Sequence, residues 1–187
     1  TKKDSTLVQS AELVRDGKAS AMISAGNTGA TMASALLRMG RIKGVKRPAI
    51  ATPIPVPGST HTVLLDAGAN AEVEAEWLTQ FAIMGSVYSR VRFGIDKPRV
   101  GLLSIGEEPG KGDTLRKEAF VLLSECSEIN FIGNVEGRDI TTDAVDVVVT
   151  DGFTGNVALK TLEGAMRSIV KALFGAIGAP QYKEHAD

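Results

Sequence analysis

Glycine-rich turns that carry amides and small polar side chains are the parts of this sequence best suited to chemistry. The turn at residues 151–156 (DGFTGN) follows the β-branched run Val147–Val149, and apolar residues then recur at helical spacing. Glycine lets the backbone approach a ligand closely, and the free N–H groups of a helix N-terminus attract anions. The order of strand, turn and helix therefore predicts a site for a phosphate-sized anion, although an ordinary strand-to-helix turn has the same form.

The same order of strand, polar turn and helix recurs along the sequence. Further strands are predicted at residues 21–24, 49–54, 62–65, 99–105 and 129–132. Glycine-rich turns with an asparagine, aspartate or lysine are found at residues 26–29, 66–70, 106–113 and 133–137. Strands that alternate with helices form a mainly parallel α/β sheet, in which ligands bind at the carboxyl ends of the strands. We therefore expect one polar, glycine-lined cleft along that edge of the sheet.

The helices that flank this predicted sheet are marked by apolar residues at helical spacing. Ser5 is a suitable N-cap for a first helix, which should stop at Gly17. A second helix is predicted from about Thr31 to Met39, and further helices follow the turns at residues 66–70 and 106–113. The proline-rich stretch after residue 54 excludes a central strand there.

Composition narrows the class of protein. The sequence has 187 residues, 43% of them hydrophobic, and a formal net charge of -1, so it can bury a sizeable core as a single α/β domain. The near-zero charge argues against a nucleic-acid partner. The single cysteine, Cys126, excludes a disulfide framework and favours a reducing compartment. Because the sequence begins at Thr1 in mid-pattern, we expect a fragment of a longer protein.

The loop at residues 106–113 (GEEPGKGD) invites comparison with a phosphate-binding P-loop. It fails that comparison, because only three residues separate Gly106 from Gly110 and Gly112 replaces the hydroxyl residue that would bind Mg²⁺. Lys111 is nevertheless a cation in a glycine loop at the end of a strand, which suits it to neutralising a phosphate. The alternative is an ordinary solvated lysine.

No residue pattern indicates a protein nucleophile, a metal site or a bound cofactor. The two histidines are His61, at the start of a predicted strand, and His185, in a polar tail, and neither forms a Ser-His-Asp arrangement. Amide side chains suited to orienting oxyanions are instead found at Asn27, Asn70, Asn134 and Asn156. A site of this kind fits direct transfer between two bound substrates, driven by positioning and electrostatics.

Six segments of the sequence carry a resemblance to one protein family. They are SAGNTGA (24–30), GRIKGVKRPA (40–49), QFAIMGSVYS (80–89), PRVGLLSIGEE (98–108), NFIGNVEGRDI (130–140) and DVVVTDGFTGNVALKTLEG (146–164). Together they resemble the PlsX phosphate acyltransferases of bacterial phospholipid synthesis. The resemblance implies a three-layer α/β sandwich with a mainly parallel sheet, related to the isocitrate/isopropylmalate dehydrogenase and phosphate acetyltransferase folds.

The resemblance also implies a reaction and the residues that perform it. In that family inorganic phosphate attacks the thioester of a long-chain acyl-acyl carrier protein, which yields acyl phosphate and free carrier protein. By position, the catalytic residues would be Lys111 and Asn156. Lys111 would bind the phosphate or the negative charge that develops in the transition state. Asn156 would donate a hydrogen bond to the phosphate or to the thioester oxyanion. The substrate-binding residues implied in the same way are Asn27, Thr28, Asn70, Asp151 and Thr154.

Partners and location follow from the same resemblance. It implies a homodimer in the cytoplasm, with peripheral association at the inner face of the membrane, where a glycerol-3-phosphate acyltransferase would use the acyl phosphate. The family's opening glycine turn and its C-terminal helical hairpin and last segment are absent from this sequence. The docking surface is predicted from charge placement and not from the resemblance: an acidic carrier protein would meet the basic residues Arg38, Arg41, Lys43, Lys46 and Arg47.

Two other functions remain open on the sequence. A short-chain phosphotransacylase that uses a coenzyme A thioester would share the fold and the phosphate step. A non-catalytic anion-binding module would keep the cleft and lack turnover. Activity with an acyl carrier protein thioester or with a coenzyme A thioester distinguishes the PlsX-type enzyme from the short-chain phosphotransacylase. Phosphate binding without thioester consumption identifies the non-catalytic module.

Overall fold

Five strands and five α-helices, with one 3₁₀ helix, make up the part of the chain that the computed structural model describes, residues 4–177. The α-helices are α1 (Thr6–Arg15), α2 (Thr28–Arg38), α3 (Ala75–Phe93), α4 (Thr114–Glu125) and α5 (Gly152–Ile177). The strands are β1 (Ala51–Ile54), β2 (Thr62–Leu65), β3 (Arg99–Leu103), β4 (Asn130–Val135) and β5 (Val147–Val149). The 3₁₀ helix spans Gly137–Thr141.

The strands form one sheet in the order β1-β2-β5-β3-β4. β2, β5, β3 and β4 are parallel, and β1 is an antiparallel edge strand. Pro53 lies within β1, and an edge strand tolerates proline because one side of its backbone needs no partner. The last strand in sequence, β5, lies at the centre, so the carboxyl ends of β2, β5 and β3 are neighbours.

Helices cover both faces of the sheet, which makes the fold a three-layer α/β sandwich. Val147 and Val149 of β5 face a core built with α3 and α4. Val148 faces the opposite side, where Ile140 of the 3₁₀ helix and Leu159 of α5 pack. A strand buried on both faces reads as a continuous apolar run, which is why the VVV sequence predicted its position.

An ion pair fastens the amino ends of β3 and β5. Asp146 accepts hydrogen bonds from the backbone N–H of Arg99 at 2.7 Å and from its guanidinium at 2.9 Å. The hydrogen bond to Asp146 raises the pKa of Arg99 above its usual range, against the opposing effect of burial. This pair lies at the end of the sheet opposite to the predicted cleft.

The prediction of a strand at residues 21–24 is wrong. That segment is irregular, and Ile23 is 97% exposed. Its pattern is typical of a strand, but a strand requires a neighbour for its backbone N–H and C=O groups, and no strand among residues 4–177 pairs with it. The other five predicted strands are present: β2 and β5 have the predicted bounds, and those of β1, β3 and β4 differ by one to three residues.

Two predicted turns are the first turns of helices. α2 begins at Thr28 rather than Thr31, because Asn27 accepts a hydrogen bond from the N–H of Ala30 at 2.9 Å and so acts as the N-cap. α5 begins at Gly152, directly after Asp151, so the DGFTGN segment forms the start of α5 and not a loop before it. Helix α1 starts after Ser5 as predicted.

Candidate active site

The turn after β2 is organised by the buried carboxylate of Asp66. Its Oδ1 accepts hydrogen bonds from the N–H groups of Ile50, Gly68 and Ala69 at 2.9–3.1 Å. Its Oδ2 accepts from the N–H and from the side-chain amide of Asn70, both at 2.8 Å. A carboxylate that accepts several backbone N–H groups fixes the shape of the turn. Asp66 thus holds residues 66–70 in place at the carboxyl end of β2.

Asn70 joins this turn to its neighbours. Its side-chain Nδ2 also donates to the carbonyl oxygen of Pro48 at 2.8 Å, so both hydrogens of the amide are used within the protein. Its own carbonyl oxygen accepts from the N–H of Gly152 at 2.7 Å, at the start of α5. The predicted binding residue Asn70 therefore lies at the site and connects two of its elements.

The first turn of α5 lies directly against this turn. A Cβ on Gly152 would lie 2.7 Å from the carbonyl oxygen of Asn70, a distance that real Cβ atoms do not reach. Asn156, one turn further along, donates from Nδ2 to the carbonyl oxygen of Ala67 at 3.3 Å and remains exposed. The side chain of Asn156 also lies over Gly68. The glycines of DGFTGN thus serve close packing of backbone on backbone.

Asp151 caps α5 and is ionised. Its Oδ1 accepts from the N–H of Thr154 at 2.8 Å, and its Oδ2 accepts from the Thr154 hydroxyl at 2.8 Å. Burial raises the pKa of this carboxyl, but the two hydrogen bonds from Thr154 and the charge of Arg116 outweigh it, so the pKa lies below its ordinary value. The guanidinium of Arg116 donates directly to Asp151.

Arg116 is a site residue that the sequence did not reveal. Its Nη2 donates to the hydroxyls of Thr150 and Thr154 at 3.2 and 3.1 Å, and its Nη1 donates to Asp113 at 3.0 Å. In sequence it is one more arginine in the first turn of a helix, three residues after the N-cap Asp113. The sequence around Arg116 indicates only its short-range pair with Asp113. Its contact with α5 depends on the tertiary fold.

Lys111 lies in the loop after β3 and is exposed. The carbonyl oxygen of Glu108 in that loop accepts a hydrogen bond from the buried Asn134, at the end of β4, at 2.8 Å. The aliphatic stem of Lys111 lies over Gly106, where a Cβ would be 3.0 Å from the Lys111 Cγ. No salt bridge within residues 4–177 engages Lys111.

Two cavities flank Arg116. One of about 340 Å³ lies between the loop after β3 and α5, and Ser104 and Gly112 line it. The other, of about 490 Å³, is lined by Glu72, which precedes α3, and by Phe153 of α5. Both share Asp113, Arg116 and Thr154 as lining residues. The buried Oγ of Ser104 has no hydrogen-bond partner in the described chain, so the first cavity holds an unused polar group.

The structure does not bring all the predicted residues together. Asp151, Thr154, Asn156 and Asn70 are joined through the contacts between the turn at residues 66–70 and α5. Asn27 and Thr28 lie at the exposed start of α2. In the described range, no hydrogen bond joins those two residues to the other predicted site residues.

Other candidate chemistries lack support in the described residues. No group of three or more histidine, cysteine, aspartate or glutamate side chains there could hold a metal ion. None of the described helices combines the length and apolarity needed to cross a bilayer. His61 stacks on Phe93 with ring centroids 5.2 Å apart, at the amino end of β2, and His185 lies outside the described residues.

The fold is that of the phosphotransacetylases. A phosphotransacetylase from Streptococcus pyogenes matches with a TM-score of 0.67 and 19% identity over 86% of this chain and 55% of its own. The EutD phosphotransacetylase from Staphylococcus aureus matches with a TM-score of 0.60 and 23% identity over 84% of this chain and 56% of its own.

Residues 1–179 match the family described as fatty acid synthesis protein, and the chain belongs to that family. Relatives named phosphate acyltransferase include one from Elusimicrobium minutum, 55% identical over 95% of this chain and 51% of the relative. One from Bacillus subtilis is 54% identical over 92% of this chain and 52% of the relative. The chain thus spans about half the length of these curated relatives.

Proposed function

We propose that this protein is a phosphate acyltransferase that moves a long-chain acyl group from acyl-acyl carrier protein to inorganic phosphate. The 55% identity to a phosphate acyltransferase across 95% of the chain carries this proposal. A phosphate oxygen attacks the thioester carbonyl carbon, a C–O bond forms, and the C–S bond breaks. The sulfur leaves with the electron pair and takes the proton that the attacking hydrogen phosphate loses, so the products are acyl phosphate and the free thiol of the carrier protein.

The site can stabilise this reaction without a protein nucleophile. Phosphate would bind beside Lys111 and the N-terminus of α5, where the positive end of the helix dipole and the Thr154 hydroxyl would attract it. Lys111 would neutralise the phosphate, and Asn156 would donate to the phosphate or to the oxyanion of the tetrahedral intermediate. Positioning and preorganised donors of this kind supply much of the rate enhancement in acyl transfer.

The other predicted residues would act at the rim or through the scaffold. Asn27 and Thr28 stand at the exposed N-terminus of α2, and we assign them to the phosphate end of the cleft. Asn70 uses both amide hydrogens internally, so we assign it to shaping the site and not to direct donation. Asp151 has the same supporting role, because its carboxylate is occupied by Thr154 and Arg116.

The proposed protein partner is the acyl carrier protein, and the proposed docking surface is the segment before β1. Arg41, Lys43, Lys46 and Arg47 are exposed there. Glu12 lies 3.6 Å from Arg38, so that arginine is partly neutralised. Clustered exposed cations steer an acidic partner towards a site.

Assembly and location complete the proposal. We infer a cytoplasmic homodimer that associates peripherally with the inner face of the membrane and passes acyl phosphate to a membrane glycerol-3-phosphate acyltransferase. These inferences rest on the family of the chain alone.

A short-chain phosphotransacylase that uses a coenzyme A thioester is the second candidate. The observation that favours it is the fold, which this chain shares with the phosphotransacetylases from Streptococcus pyogenes and Staphylococcus aureus. The choice of thioester carrier distinguishes the two candidates, because the phosphate step is common to both.

The test measures acyl phosphate from palmitoyl-acyl carrier protein and inorganic phosphate, trapped with hydroxylamine as the hydroxamate. It is run on this chain and on a version extended to the length of the curated relatives. Lys111→Ala and Asn156→Ala should each lower the rate about 100-fold, the usual cost of losing a preorganised donor. Lys117→Ala, an exposed lysine on α4, is the matched control and should leave the rate unchanged.

The outcomes separate the candidates. Product from acyl carrier protein and not from short-chain coenzyme A thioesters supports the first proposal, and the reverse supports the second. Phosphate binding without product from either thioester, in both lengths of chain, would leave a non-catalytic anion-binding module.

A further inference from the structure

The guanidinium of Arg116 joins three separate elements at the candidate site. It contacts Asp113 at the N-cap of α4, Thr150 after β5, and Asp151 and Thr154 at the start of α5. Each contact is to a side-chain oxygen, with distances of 3.0–3.2 Å to Asp113, Thr150 and Thr154. A planar guanidinium presents several donors in a fixed geometry, so one residue can set the relative positions of its partners.

The contact with Asp151 is withdrawn from solvent. The side chain of Arg116 is 11% exposed and that of Asp151 is 8% exposed, whereas Asp113 on the outer side is 60% exposed. The charges of the inner pair therefore cancel where solvent screening is weak. Removing one partner from such a pair leaves the other charge uncompensated.

This cancellation matters for anion binding at the start of α5. The carboxylate of Asp151 accepts a hydrogen bond from the Thr154 N–H at this N-terminus, and an unpaired negative charge there would repel an anion. Arg116 lines both cavities described above. The pair thus keeps the cap in place while the charge of Arg116 cancels that of Asp151.

We propose that Arg116 is a positioning residue for the phosphate-binding step: it neutralises Asp151 and fixes Thr154, and so sets the affinity of the α5 N-terminus for inorganic phosphate. This inference rests on the proposed function, because that function places phosphate at this N-terminus. The role is exerted through Asp151 and Thr154 and not through the reacting atoms.

The experiment compares four variants by titration with inorganic phosphate: Arg116→Gln, Asp151→Asn, the double variant and Arg99→Gln. The last is the matched control, because Arg99 also pairs with a buried aspartate, Asp146, but at the opposite end of the strands. A thermal melt of each variant separates loss of stability from loss of affinity.

Arg116→Gln should weaken phosphate binding about tenfold or more, because it leaves the Asp151 carboxylate unpaired. The double variant should recover most of that loss, since neither charge remains. Arg99→Gln should lower the melting temperature and leave the phosphate affinity unchanged. If Arg116→Gln does not fold, Arg116→Lys replaces it: lysine keeps the charge but lacks the planar set of donors that fixes Thr154, so the phosphate affinity should fall about three- to tenfold.

Two outcomes would overturn the inference alone: unchanged phosphate affinity in Arg116→Gln, or a double variant that binds as weakly as Arg116→Gln. If Arg116→Lys is the variant used, an unchanged phosphate affinity would overturn it as well. If the unmodified protein does not bind phosphate at all, the proposed function fails at its phosphate step and this inference fails with it.

Discussion

The main chain of Gly155 touches the main chain of Asp66 so closely that a Cβ on Gly155 would lie 1.9 Å from the Asp66 carbonyl oxygen. Gly155 belongs to α5 and Asp66 follows β2, so this contact sets the distance between the two elements that form the candidate site. Neither backbone can move away freely, because Asp66 is held by the turn and Gly155 by its helix.

Gly155→Ala should therefore lower the free energy of unfolding by about 1–3 kcal/mol, as expected for overpacking against backbone. The matched control is Gly164→Ala on the same helix, where a Cβ would meet nothing within 4 Å. That control should raise stability by about 1 kcal/mol, since alanine favours helix over glycine. Chemical denaturation of both variants measures the difference, and equal effects would contradict the close contact.

Asp66→Asn should destabilise the protein although it changes a single atom. Asparagine offers one acceptor oxygen where the carboxylate has two, so N–H groups of the turn would lose their acceptor. Hydrogen bonds to charged groups contribute about 1.5–3 kcal/mol, and we expect a loss of that size in urea denaturation. Asp96→Asn, at an exposed aspartate, provides the control. If Asp66→Asn lowers the free energy of unfolding no more than Asp96→Asn does, the turn does not depend on the charge.

Acid should remove the contribution of Asp151 to stability. Its pKa in the folded protein lies below the ordinary value of 3.8, so its contribution is complete above that value and is lost as the pH falls through the folded pKa. The difference in free energy of unfolding between the unmodified protein and Asp151→Asn should be constant above about pH 5 and shrink below about pH 4. A difference that stays the same down to pH 3 would contradict the lowered pKa.

Reversing charges on the proposed docking surface should act on binding and not on chemistry. Lys43→Glu with Lys46→Glu should raise the KM for acyl-acyl carrier protein about fivefold, leave kcat unchanged and weaken the dependence on salt. Lys97→Glu, at an exposed lysine before β3, is the control. An unchanged KM in the double variant would exclude this surface as the docking site.

Most of the sheet could be predicted because its strands are short apolar runs with polar turns after them. β2 and β5 fall where the sequence places them, since burial on both faces leaves an unambiguous pattern. Residues 21–24 show the limit of that reasoning, because pattern alone does not supply a neighbouring strand. The order of the strands also depends on tertiary packing, and nothing local places β5 between β2 and β3.

The contacts among the candidate site residues could be predicted from the sequence only in part. Asp151, Thr154 and Asn156 could be singled out because the turn that carries them follows a buried strand. The role of their glycines was not visible, since Gly152 and Gly155 contact residues more than 80 positions away. Arg116 was missed for the same reason: its partners Thr150 and Thr154 are distant in sequence.

The carboxylate of Asp66 has a consequence for how the site can diversify. It binds main-chain N–H groups, which every residue except proline supplies, so the fold of the turn does not depend on the side chain at position 69. A substitution at that position can change the surface of the turn while the main-chain hydrogen bonds to Asp66 stay in place. A turn held through its main chain in this way can change its surface without a change of fold.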